Sequence, residues 1–532
     1  MPAPEITSVG DALESLVHQF ADPWAFLREL VQNAVDADTA QIDVRIDHDA
    51  ARRTMLIEVA DHGAGMTREI IDTRLTRLFS SSKEGDYTKI GRFGIGFVSV
   101  FAIDPDLVCV DTGRAGEYWR VLFRRDRSFE RIRLHQPVEG TTVRLYKTAD
   151  EADVLAARAR ARETLAYWCK HARVDLRFEG DPISGPLDLD GLCKVEHREE
   201  GTHLVMALVA EPVALRGYYH GGLTLHEEHD DSLPHVAFKI DSRFLEHTLT
   251  RDNVIRDDNY AKAMAIVAEV ARTRLAAALF EALERRVRAG DDDPRERDAL
   301  HRAAARHLAQ KDPDPAWQTR AIVPLHGAPP ASLAELRARP RRRRLYRSPV
   351  SNPVVAGLVQ DGHPVILCDE GDSLERLVAA ALSERPTPVT DICTALPADP
   401  AELSHWTALR EALAELLRAR KWKVREIAVG HLAYPGSPIA GRPAITQERL
   451  GELTPVAESG ALSKGWLTSG RVLVLSADHP TLRHLCAVAE REPELAAYLA
   501  LKSFFLHGEL TPTQDAELAT LSAEARWRRT TP

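Results

Sequence analysis

The sequence predicts an α/β protein, and three observations carry that prediction. Phe26 to Ala37, FLRELVQNAVDA, sets Phe26, Leu27, Leu30, Val31 and Ala34 against Glu29, Asn33 and Asp36, which is the spacing of an amphipathic helix. Gln41 to Ile46 alternates apolar and polar residues, and Met55 to Ala60 is nearly all apolar, so both read as strands. Leu107 to Asp111, Tyr118 to Phe123, Phe129 to Leu134 and Thr141 to Tyr146 alternate between short turns, the pattern of antiparallel strands. A helix followed by a meander implies helices layered on one mixed sheet.

The helix start is marked by Asp22, a side chain able to cap free N–H groups, and by Pro23 at a position that needs no N–H. A second helical stretch, Asp150 to His171, closes the region. Tyr260 to Gln310 is Ala-rich and helical with a break at Gly290 to Pro294, and Lys311 to Pro315, KDPDP, reads as a domain boundary. Beyond it, strands Pro364 to Cys368 and Val472 to Leu475 alternate with helices Leu374 to Leu382, Leu403 to Arg420 and Thr481 to Tyr498, a further α/β domain.

Composition narrows the function classes. At 532 residues, 44% hydrophobic and 28% charged, the chain has room for two to four domains. No apolar run approaches the roughly 20 residues that span a bilayer, and Met1 to Ala12 carries no basic-then-apolar export pattern, so a cytoplasmic protein without membrane contact is expected. The six cysteines stand far apart without ligand spacing, which favours reduced, mostly buried thiols over zinc or disulfides. A net charge of -10 argues against wholesale nucleic-acid binding and leaves room for a local basic patch.

Two glycine-bearing segments carry the chemistry. Asp61-His62-Gly63-Ala64-Gly65-Met66 puts a carboxylate at a strand end before a tight turn, where backbone can approach a ligand. Gly91-Arg92-Phe93-Gly94-Ile95-Gly96 precedes the apolar run Phe97 to Ile103, and glycines before a helix let free N–H groups converge on an anion. No Gly-Lys-Ser/Thr follows, so this is not a Walker A loop.

Four blocks in order, Glu29-x-x-x-Asn33-x-x-Asp36-Ala37, Asp61-x-Gly63-x-Gly65, Gly91-x-x-Gly94-x-Gly96 and Gly140-Thr141, resemble the ATPase superfamily shared by gyrase, the ninety-kilodalton heat-shock chaperones, histidine kinases and MutL. FLRELVQNAVDA and GRFGIGFVSVF look most like the heat-shock chaperones of the HtpG type. Lys170 to Ile183 resembles the end of that family's ATPase domain, and Phe238 to Val254 resembles the middle-domain segment with its catalytic-loop arginine, here Arg251. The likeness covers about residues 1–270. It implies a two-layer α/β sandwich of the Bergerat ATP-binding type over 1–184, a compressed α/β middle domain with trailing helices over 185–310, and leaves 311–532 as a C-terminal α/β domain of unassigned role. His62 stands where asparagine is common, and the segment from Thr67 to Gly91 is short.

The resemblance also implies roles. Glu29 would orient and polarise the attacking water, and Asn33 would give its oxygen to Mg²⁺, an ion suited to neutral oxygen, water and phosphate. Asp61 would accept from the adenine amino group, supported by Thr141, with Gly63, Gly65 and Met66 forming the turn. Gly91, Phe93, Gly94, Ile95, Gly96 and Phe97 would wrap the phosphates. Lys83 is either an added charge or a solvated loop lysine, and Asp36 either braces its helix or contacts the lid. Arg251 would reach the terminal phosphate when domains dock, in the manner of an arginine finger. ATP and Mg²⁺ are the implied cofactors, client proteins the implied partners, and a homodimer is expected by analogy.

The competing function is an ATPase of the same superfamily acting on nucleic acid or in defence through its C-terminal region. Arg337 to Arg347, RARPRRRRLYR, could hold phosphate, with Tyr346 available for stacking, or be a solvated basic loop. Ser476-Asp478-His479 and Cys368-Asp369-Glu370 follow strands, where active sites of parallel sheets occur, but without a partner motif they read as loop residues and helix caps. A histidine kinase is disfavoured, since no phosphoacceptor helix pair precedes the ATPase blocks.

Overall fold

Pro23 opens a short 3-10 turn, Pro23–Ala25, whose first free N–H, on Trp24, is accepted by the Asp22 carboxylate at 3.0 Å. The expected cap therefore serves this turn, which runs directly into helix α1, Phe26–Asp36. In the computed structural model, described over residues 22–76, 95–246, 253–290, 293–309, 315–460, 470–505 and 510–531, the chain forms two compact units, Met1–Ala278 and Leu279–Pro532.

The first unit is built on an eight-stranded sheet. Its strands are β1 (Gln41–Asp49), β2 (Thr54–Asp61), β3 (Leu107–Arg114), β4 (Glu117–Arg124), β5 (Phe129–Arg133), β6 (Gly140–Thr148), β7 (Asp175–Phe178) and β8 (Asp181–Pro182), in the order β5-β4-β3-β6-β2-β1-β7-β8. Only β1 and β7 pair in parallel; the other pairings are antiparallel, as the short turns required.

The alternation of each strand decides its faces. Ile57 and Val59 of β2, Val108 and Val110 of β3, and Val143 and Leu145 of β6 are buried in one core with Phe26, Leu27, Leu30, Val31 and Ala34 of α1. Helix α2, Glu151–Trp168, adds Val154, Ala157, Ala161 and Leu165 to the same core and opens on a capping box between Asp150 and Asp153. Full burial of each large apolar side chain contributes about 1.5–3 kcal/mol, so the stripe on α1 is what docks that helix. The short helix Ile95–Val98 and the 3-10 segment Ser99–Ile103 complete this helical layer, with the Phe97 ring 5.4 Å from Phe123. The result is the expected two-layer α/β sandwich.

A second sheet in this unit contains β9 (Cys193–Glu199), β10 (Thr202–Leu208), β11 (Ala214–His220), β12 (Leu223–Asp230) and β13 (Val236–Ser242), ordered β12-β11-β13-β10-β9. It is tied to the end of α2 by polar contacts. Thr224 Oγ1 donates to Tyr167 O at 2.8 Å, Lys170 Nζ meets Glu227 Oε2 at 2.7 Å, and Arg173 Nη2 meets Asp241 Oδ2 at 2.7 Å.

The second unit is α/β as well. Tyr346–Ser348 pairs in parallel with Val365–Leu367, and Val424–His431 with Arg471–Ser476, each pair flanked by helices. One expected helix is corrected: Thr481 to Tyr498 is two helices, Pro480–Ala489 and Pro493–Phe504. Pro493 has no N–H to continue the first and suits the start of the second. Among the described residues no helix is long and apolar enough to cross a membrane.

Candidate functional site

The site is a transverse row across three neighbouring strands. Register places Asp61 of β2 opposite Thr141 of β6, and Thr141 opposite Thr112 of β3. Asp61 follows Ile57 and Val59, Thr141 precedes Val143, and Thr112 follows Val108 and Val110 at the two-residue period of a strand, so all three lie on the core face covered by the helices. The row is thus a polar end to an otherwise apolar layer.

Hydrogen bonds lock this end. Asp61 Oδ1 accepts from Gly63 N at 2.8 Å and from Thr141 N at 3.3 Å. Thr112 Oγ1 accepts from Met66 N at 2.9 Å, donates to Gly140 O at 3.2 Å, and lies 3.0 Å from Thr141 Oγ1. Thr39 Oγ1 accepts from His62 N at 3.1 Å and donates to Gln41 O at 2.8 Å. Asp61 is 9% exposed and, among the described residues, has no cation as a hydrogen-bond partner; burial pushes its carboxyl above the ordinary value, against the bonds from Gly63 and Thr141.

The glycines of the turn answer to the protein's own backbone. Gly65 has φ +63°, and a Cβ there would lie 2.0 Å from Gly113 O; Gly140, at φ +64°, would bring one 2.1 Å from Asp61 O. Gly63 packs on the end of α1, where a Cβ would meet Ala37 O at 2.7 Å, and Ala64 N donates to that carbonyl at 2.9 Å. This contact pins the helix carrying Glu29 and Asn33 to the turn carrying Asp61. The close contacts at these glycines are with the neighbouring strands and the end of α1.

On α1, Glu29 is buried at 3% exposure, whereas Asn33 and Asp36 are exposed. Asp36 accepts from Gln32 Nε2 at 3.0 Å, one helical turn back, a contact that braces the helix. Phe97 places its ring in the core, so its backbone is what remains to face a ligand; Ile95 and Gly96 lie in the same short helix, Ile95–Val98. Lys83, Gly91, Phe93, Gly94 and Arg251 lie outside the described residues.

The donor set fits a nucleotide carrying its own cation. Among the described residues no group of three or more His, Cys, Asp or Glu could hold a metal alone. Asn33 offers an exposed neutral oxygen one turn from Glu29, which suits an ion otherwise held by phosphates and water.

Elsewhere the tempting clusters resolve into structure. Tyr346 is 5% exposed, its ring 5.4 Å from His363, so the stacking role considered for it is corrected: it sits in a strand under helix Pro353–Gln360. Arg347 is buried beside Glu375 at 3.1 Å, and Arg339 is bonded to Glu384 and to the carbonyls of Leu336 and Arg343. Arg341 to Arg344 are exposed. Asp478 Oδ1 meets His431 Nδ1 at 2.8 Å and its Oδ2 accepts from Leu432 N and Ala433 N, a clamp across two parallel strand ends. Burial pushes the Cys368 thiol up to about 12, which makes it an inert thiol. The cysteines are all free; five are buried and Cys193 is half-buried.

Sequence reasoning missed Thr112 and Thr39. Thr112 sits in LVCVDTG, a run that reads as plain strand, and only its register against Thr141 gives it meaning.

Residues 22–135 match the family described as histidine kinase-, DNA gyrase B-, and HSP90-like ATPase. Curated relatives include the chaperone protein HtpG of Idiomarina loihiensis, 28% identical over 218 residues, covering 35% of this chain and 33% of the relative. The HtpG of Methylococcus capsulatus is 32% identical over 212 residues, 33% of each chain, and that of Nitrosomonas eutropha 29% over 257 residues, 42% of this chain and 38% of the relative. The chain thus spans about a third of the length of the curated relatives it matches. Its N-terminal part carries an ATPase domain of the histidine kinase, gyrase and heat-shock chaperone class, and over about a third of its length the chain resembles the HtpG chaperones.

Proposed function

We propose that the protein binds and hydrolyses ATP and couples nucleotide-driven closure to action on client proteins, as a chaperone-like machine of the HtpG type. The observation that carries this reading is Asp61: a buried carboxylate held at one oxygen by Gly63 and Thr141, with its second oxygen engaged by no described residue. A carboxylate kept in that state is an acceptor for a ligand N–H, and the matched ATPase family makes adenine the ligand of choice.

Glu29, buried on α1, would polarise the attacking water, and Asn33 would give an oxygen to magnesium, which when bound would offset phosphate charge. Thr141 supports Asp61 at the base, and Gly91, Phe93, Gly94, Ile95, Gly96 and Phe97 supply backbone to the phosphates, with Lys83 as an added charge. Arg251 approaches the terminal phosphate on closure, so that domain docking gates hydrolysis. Division into domains at 1–184, 185–310 and 311–532, a homodimer and a cytoplasmic location belong to the same proposal.

The test is Glu29→Ala. It should bind ATP with near-normal affinity and turn it over at least 100-fold more slowly, the scale of a lost general base. Wild-type turnover would remove Glu29 from the mechanism. The ATP-trapped variant also serves for pull-down, with recovered polypeptides supporting the chaperone reading. A second reading, action on nucleic acid, keeps one observation in its favour: Arg341 to Arg344 stand exposed in a chain of net charge -10. Recovery of nucleic acid, with turnover stimulated by DNA and lost on replacing Arg341 to Arg344, would favour that reading.

A further inference from the structure

We propose that Thr112 is a positioning and specificity-determining residue: it fixes the Thr141 hydroxyl as a hydrogen-bond acceptor, so that the row selects a base edge bearing an amino group and rejects one bearing a keto oxygen. The inference rests on the reading of this row as the base-binding end of an ATP site.

A threonine hydroxyl has one proton and two lone pairs. Thr112 Oγ1 is within hydrogen-bond distance of Met66 N, Gly140 O and Thr141 Oγ1, at 2.9, 3.2 and 3.0 Å. The amide of Met66 only donates and the carbonyl of Gly140 only accepts. One assignment makes all three contacts hydrogen bonds: Thr112 donates to Gly140 O and accepts from both Met66 N and Thr141. The Thr141 proton is then spent on Thr112, and only lone pairs of Thr141 Oγ1 remain to be offered.

Thr112 is wholly buried, so water cannot compete for this arrangement. Its neighbours are equally fixed, since Gly140 takes a left-handed φ of +64° and its Cα has no room for a side chain. Asp61 Oδ1 is occupied by Gly63 N and Thr141 N, and no described residue engages Oδ2, which makes it a second acceptor on the strand position paired with Thr141. Two acceptors side by side match the amino group of adenine and oppose the O6 of hypoxanthine or guanine, which is itself an acceptor. Discrimination of this kind is strong because the mismatched edge leaves buried polar atoms unpaired.

The experiment measures binding of ADP and IDP to the full chain by calorimetry for wild type, Thr112→Val, Thr112→Ser and Thr141→Val. Wild type should prefer ADP. Thr112→Val removes the acceptor for the Thr141 proton, so Thr141 becomes free to donate to O6, and the ADP-to-IDP preference should fall about tenfold or more. Thr112→Ser should restore the wild-type preference, which a merely structural role for the threonine methyl would not do. Thr141→Val leaves Thr112 in place and should lower the preference too, and adding Thr112→Val to it should change nothing further. The proposal is overturned if Thr112→Val binds ADP with the wild-type preference, or if Thr112→Val alters the preference equally with and without Thr141. If Thr112→Val fails to fold, an unchanged preference in Thr141→Val overturns it. Wild type that binds neither nucleotide would instead defeat the ATP-site reading, and this inference with it.

Discussion

The two faces of the eight-stranded sheet each carry a buried aspartate, and their surroundings are opposite. On the helix-covered face, Asp61 has backbone N–H donors at one oxygen and, among the described residues, no cationic side chain hydrogen-bonded to it. On the other face, Asp111 accepts from Arg120 Nε and Nη2 at 2.6 and 2.7 Å and from Arg144 Nη1 at 2.8 Å, while Arg144 Nε reaches Glu58 at 2.7 Å. Burial pushes both carboxyls up. At Asp111 the two guanidinium groups outweigh it and hold the group below the ordinary carboxylate value, whereas at Asp61 burial prevails. A carboxylate closed by arginines has its bonding capacity used inside the protein; one left above its ordinary pKa with an oxygen to spare is available to a ligand. The contrast separates an aspartate tied into an arginine network from the one proposed to meet the ligand, on strands that share a neighbour, β6.

The largest expected difference between the two aspartates is in Asp61→Asn. Loss of a charged acceptor removes roughly 1.5–3 kcal/mol of binding, so ATP affinity should fall about 10- to 100-fold. Thermal melting of the ligand-free protein should be unchanged or higher, because a buried charge without a cation has been removed. Asp111→Asn should behave in reverse. It breaks a pairing in which the carboxylate is 9% and Arg120 40% exposed; partial solvent screening places the cost below that of a fully buried pair, at about 2 kcal/mol in chemical denaturation. ATP affinity should stay within about twofold, since Asp111 faces away from the row.

The smallest effect is the pH dependence, and its sign differs between the two. Asp111, depressed when folded, contributes stability above the ordinary carboxylate pKa, lost as pH falls through its lower folded value, below 3.8. Asp61, raised when folded, binds its proton more tightly in the native state. Its contribution is therefore present below 3.8 and lost as pH rises through the raised value. Melting curves across this range should show that Asp61→Asn removes a decline in stability above pH 3.8, and that Asp111→Asn removes a loss below it. Identical profiles for the two variants would erase the distinction.

Much of this was legible in the residues. The apolar stripe of α1, the period of β1 and β2 and the meander after them define the sandwich, because period and turn chemistry are local. The glycines at 63, 65 and 140 were legible as special positions, though what they accommodate is mostly the chain's own backbone. What sequence could not display is register. Thr112 and Asp111 are adjacent in an apolar run, yet one points into the row and the other into an arginine network on the far face, and this depends on β6, which brings Thr141 to Thr112 and Arg144 to Asp111 from 29 and 33 residues away in the chain. Tyr346 in a run of arginines looked exposed, but its strand pairing with Val365 and Thr387 buries it. Arg28, beside Glu29, is 4% exposed, its guanidinium 4.7 Å from the Trp168 ring, and burial lowers its pKa to about 10; helical spacing alone does not reveal that partner on α2.

On the proposed reading, the row Asp61, Thr141 and Thr112 is the base-binding end of an ATP site while the Asp111 network is structural. Calorimetric titration of ATP into wild type, Asp61→Asn and Asp111→Asn in one buffer decides between the two aspartates. The expected result is tight binding to wild type and Asp111→Asn, with affinity for Asp61→Asn lower by tenfold or more. Equal affinity in Asp61→Asn and wild type would contradict it.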